Sequence, residues 1–68
     1  MIIFTTVKDM QVAIRPHSIH AVEQHPDDPA VSAITYSLTN RKKTNILFVK
    51  HTVQEVVDAI NKVSGIWN

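Results

Sequence analysis

Three of the four histidines, His17, His20 and His25, crowd into one short stretch with Glu23, Asp27 and Asp28. Imidazole nitrogen and carboxylate oxygen together suit zinc or another divalent ion. His17 and His20 share a face only where the chain between them is helical, and no second ligand pair stands elsewhere to complete a tetrahedral shell. The expectation is therefore a solvated polar edge, with no metal and no cofactor. His51 reads as the residue preceding a helix cap. Asp27 and Asp28 are adjacent, whereas acid–base chemistry needs two groups converging in a sheltered pocket. Flanked by Pro26 and Pro29, they read as a turn. No nucleophile–base grouping, phosphate loop or nucleotide fingerprint appears, and the chain holds one glycine. No catalytic residue is expected, and the chain is read as a non-enzyme.

A second chemistry lies in the basic residues. Arg41, Lys42 and Lys43 form a triplet in a hairpin turn, with Lys50 following the next strand. Tyr36 and Phe48 on an exposed face would give stacking platforms, as in small barrels that bind single-stranded nucleic acid. The opposing reading places both rings in the core and leaves the triplet as a solvated turn that discourages edge aggregation. Composition favours the latter, since aromatic residues are 6% of the chain and net charge is +1. Weak nucleic-acid binding through Arg41, Lys42, Lys43 and Lys50 stays as the alternative.

These residues must be positioned by a small scaffold. With 68 residues the chain reads as a single domain, 1–68. A domain of this size buries only about 60% of the surface its unfolded chain exposes. There is no cysteine to staple it, so self-association is the remaining route to stability. No apolar run approaches the roughly 20 residues that span a bilayer. Met1–Val7 is too short for a signal peptide and runs into Lys8-Asp9, so a cytoplasmic location is expected.

Ile2–Val7 is β-branched and aromatic, which predicts a strand. Lys8-Asp9-Met10 turns without the glycine that favours a tight hairpin. Gln11–Arg15 alternates with Val12 and Ile14 on one face, and Pro16 stops it. Pro16–Ile19 predicts a single helical turn or bend with Ile19 inward, and His20–Gln24 a third strand. His25–Pro29 is a loop. Val31–Leu38 alternates, with Ile34, Tyr36 and Leu38 on one side and Ala33, Thr35 and Ser37 on the other. Thr39–Lys42 is a polar hairpin turn. Asn45–Val49 is an unbroken apolar run, which predicts a central strand buried on both sides, or one that bends.

The last element is a helix with both ends written in. Thr52 and Glu55 form a capping box, and Val53, Val56, Val57, Ile60 and Val63 recur at helical spacing. Lys62 complements the dipole and Gly65 can close the helix. The fold class follows: α+β, a small twisted antiparallel sheet or half-open barrel of four to five strands capped by one C-terminal helix. The valine stripe, extended by Ile66 and Trp67, exceeds what a small sheet hides. Ile66, Trp67 and Val63, with the open edge strand of the sheet, are therefore the expected interface of a homo-oligomer or of a contact with another protein, Trp67 being either folded onto the sheet or offered to a partner.

Met1-Ile2 leading to Thr5, Val12 and Ile14, Ile19, Val22-Glu23 with Pro26-Asp27, Ile34, Lys43 through Val49-Lys50, and Val53 with Glu55-Val56 and Ile60 resemble the small FlbD-type proteins of bacterial flagellar operons. Turns that carry glycine in that family are Lys8-Asp9-Met10 and Thr39-Asn40-Arg41 here. The resemblance implies a cytoplasmic accessory protein acting by protein contact and linked to motor output. It carries over no catalytic or binding residues. A phage-type relative sharing only the fold is the other placement it allows. The expected function is that of a small non-enzymatic interaction module, self-associating and bound to an unidentified protein.

Overall fold

The computed structural model describes residues 1–37 and 43–64. Strands β1 (Ile2–Thr5) and β2 (Gln11–Ile14) pair antiparallel, with Ile2 opposite Ile14 and Thr5 opposite Gln11. The turn between them lacks glycine, and two other devices make it. Asp9 takes the left-handed conformation at φ 62°, which Asp tolerates better than most residues. The Thr6 hydroxyl accepts hydrogen bonds from the Lys8 and Met10 N–H groups at 3.3 and 3.2 Å.

Pro16 then begins a short 3-10 turn, Pro16–Ser18, and is itself buried. Its missing N–H costs nothing at a helix start. Strands β3 (Ile19–Gln24), β4 (Ser32–Ser37) and β5 (Thr44–Val49) form an antiparallel sheet in that order, β3 being bulged between Ile19 and Ala21. The loop before β4 is the expected turn. Asp28 accepts from the Val31 N–H through its carbonyl at 3.0 Å and from the Ala30 N–H through its carboxylate, also at 3.0 Å.

The hairpin and the triple sheet are stitched where β1 ends. Thr6 bridges Val49, Val7 N–H donates to the Phe48 carbonyl at 3.1 Å, and Lys50 N–H donates to the Thr5 carbonyl at 2.8 Å. An ion pair between Lys50 and Asp9 lies beside this join. The result is a curved five-stranded half-shell with one helix, α1 (Val53–Ser64), packed against β3, β1 and the Pro16 turn. Ile2, Phe4, Ile14, Ile19, Ile34, Val49, Val56 and Ile60 fill the space between. The predicted architecture of a small antiparallel sheet under one C-terminal helix is the one observed.

The capping box is present as written. Glu55 N–H donates to the Thr52 hydroxyl at 3.1 Å, and Thr52 N–H donates to the Glu55 carboxylate at 2.8 Å. On α1 the expected stripe splits by depth: Val56 and Ile60 are fully buried, Val53, Val57 and Ala59 half-buried, and Val63 exposed. No helix of the described residues is long and apolar enough to cross a membrane.

One strand departs from expectation. β5 is not buried on both sides. Asn45, Leu47 and Val49 face the core side, while Ile46 and Phe48 stand outward, 63% and 43% exposed. The physical reason is that α1 covers one face of the sheet and, among the described residues, no element lies over the other.

Candidate interaction surface

The histidines do not converge. His17 is exposed on the Pro16 turn, and His20 lies on the outside of β3 sharing a 2.7 Å hydrogen bond with the Ser37 hydroxyl. His25 closes β3, where its Nδ1 accepts from the Asp27 N–H at 3.1 Å and its ring meets Phe48 edge-on at 5.8 Å. Among the described residues no group of three or more His, Asp or Glu side chains could hold a metal ion. Asp27 and Asp28 are exposed members of a turn.

His51 does more than precede the cap. Its Nε2 accepts from the Thr5 N–H at 3.1 Å, its carbonyl accepts from the buried Ser32 hydroxyl at 2.6 Å, and its ring sits edge-on to Phe4 at 5.7 Å. These bonds tie β1, β4 and the start of α1 to one another. The role is structural.

The basic residues are divided. Lys50 is engaged by Asp9, and Lys43 is exposed at the start of β5. Arg41 and Lys42 lie outside the described residues. Of the proposed stacking rings, Tyr36 is half-buried against the core while Phe48 faces out. Of the expected interface, Val63 is 54% exposed; Ile66 and Trp67, like Leu38 and Gly65, lie outside the described residues.

Another apolar display lies around the join of hairpin and sheet. Val7, Met10, Ile46 and Phe48 are exposed at 43%, 62%, 63% and 43%. Val7 and Phe48 line two shallow clefts in common, of about 340 and 330 Å³. His25 and Val31 border the first of these, and Met10 and Ile46 the second. Scattered single apolar residues on a surface need no explanation, whereas a contiguous patch marks a contact site. Val7, Met10 and Ile46 were not singled out from sequence. Alternation alone would not have found Ile46, because the polar Asn45 shares the parity of the core-facing Leu47 and Val49.

No protein-family model, curated protein or solved structure matches the chain.

Proposed function

We propose that this chain is a small non-enzymatic interaction module that works by protein–protein contact and self-associates. The observation that carries this reading is the contiguous outward patch of Val7, Met10, Ile46 and Phe48, beside a sheet face that no element covers among the described residues. Apolar side chains so displayed gain free energy on burial in proportion to the area removed from water. The nucleic-acid alternative has less support: Lys50 is partnered by Asp9, and Tyr36 packs on the core. The FlbD-type resemblance extends the proposal to a cytoplasmic accessory role beside flagellar or phage genes, which the neighbouring genes would test.

Sedimentation velocity of the whole chain from micromolar to millimolar concentration tests the main reading. The expected result is concentration-dependent association that Phe48→Asp weakens. A monomer throughout, in wild type and variant alike, would remove it. A parallel titration with single-stranded DNA should stay flat at low salt, where phosphate contacts are strongest.

A further inference from the structure

The free edge of β2 is a second feature, which adjoins the outer patch and shares with it the cleft that Met10, Ile46 and Phe48 border. The Met10 carbonyl accepts from the Thr6 N–H at 2.7 Å, so the Met10 backbone faces β1. In an antiparallel pair the bonding direction alternates along the strand. Val12 and Ile14 therefore also face β1, and Gln11 and Ala13 turn their N–H and C=O groups outward. Among the described residues no strand lies on that side.

Apolar openings flank this edge on both sides of Val12. One, of about 300 Å³, is lined by Val12, Ile14 and Tyr36; the other, of about 330 Å³, by Met10, Val12 and Leu47. Arg15 borders the first and Lys8 the second, and no carboxylate lines either. The opposite edge of the half-shell is built otherwise. β3 is bulged between Ile19 and Ala21 and carries an exposed Glu23, which are the usual ways of blocking an edge. β2 has no bulge, proline or charge within it.

Resting on the reading of the chain as an interaction module, we propose that β2 takes an extended segment of a partner protein by strand addition. Main-chain bonds to Gln11 and Ala13 hold the segment, and its alternate apolar side chains fill the openings beside Val12. Carboxylates at its two ends meet Arg15 and Lys8. This charge pattern argues against a second copy of β2 as occupant. Antiparallel self-pairing centred on Val12 brings Arg15 to the partner's Lys8–Asp9 turn, where Asp9 is already engaged by Lys50.

Selection of random displayed peptides on the whole folded chain tests this. The expected winners alternate β-branched residues between acidic ends. A winning peptide should slow amide exchange at Gln11 and Ala13 and leave Val12, already bonded to β1, unchanged. Ala13→Pro removes an outward N–H without touching the β1 ladder and should abolish binding. Arg15→Glu, an exposed change that spares the fold, should weaken it at least tenfold. Failure to enrich any peptide, enrichment of basic ones, or binding that survives Arg15→Glu overturns the proposal. Slowed exchange at Gln11 and Ala13 that grows with protein concentration alone also overturns it, in favour of self-pairing. A null here together with association weakened by Phe48→Asp leaves the interaction reading standing and removes only the β2 site.

Discussion

Thr6 shows how much a single side chain decides in a chain this short. The residue is 7% exposed, its hydroxyl receives the Lys8 and Met10 N–H groups, and it stands where β1 bridges β5. Thr6→Val keeps the shape and removes the acceptor, leaving two turn donors to find water at the base of the hairpin. Losing the partner of a buried polar group costs about 1–3 kcal/mol. The expected result is a urea midpoint lowered accordingly with an unchanged slope. An unchanged midpoint would mean that the hydroxyl does not shape the turn. Asp9, at positive φ, fills the place a glycine would take.

At the scale of the element, α1 depends on its first turn. Replacing an N-cap threonine with alanine costs about 1 kcal/mol, so Thr52→Ala should lower stability by that order. Glu55 makes the box sensitive to acid. The Thr52 N–H, and after it the Thr52 hydroxyl, hold the Glu55 carboxyl below its ordinary value of 4.5, outweighing a small opposing effect of burial; His51 adds a lesser pull downward. A carboxyl whose folded-state value is depressed stabilises the fold above the unfolded value and loses that contribution as pH falls through the folded one. Wild type should therefore melt above Glu55→Gln at neutral pH, with the difference closing as pH drops below about 4.5. A gap that persists under acid would mean that the charge of Glu55 plays no part.

Across the whole molecule, stability concentrates in few residues. Ile34, Val49, Val56 and Ile60 are fully buried between the triple sheet and α1. Truncating a buried isoleucine to alanine costs about 2–5 kcal/mol, while a small domain's entire margin is about 5 kcal/mol or less. Ile34→Ala should leave a chain largely unfolded at ambient temperature by circular dichroism. Phe48→Asp, on the outward face, removes the edge-on contact with His25 and should cost only about 1 kcal/mol. Equal losses in the two variants would show that the outer face belongs to the core of a larger assembly.

Much of this was legible along the chain, and the rest was not for a definite reason. The Thr52–Glu55 cap, the alternation of β4 around Ile34 and Tyr36, the stop at Pro16 and the Asp28 turn are local. Each needs only residues a few positions apart, so order along the chain carries them. Which side of β5 meets solvent, what His51 ties together and which edge of the half-shell stays unpaired depend on residues brought from distant positions: Thr5 to His51, Thr6 to Val49, Val12 to Tyr36 and Leu47. A single helix can cover one face of a sheet and not the other. Local pattern determined that there would be a helix and strands to cover, and only the packing decided which apolar side chains were left outside.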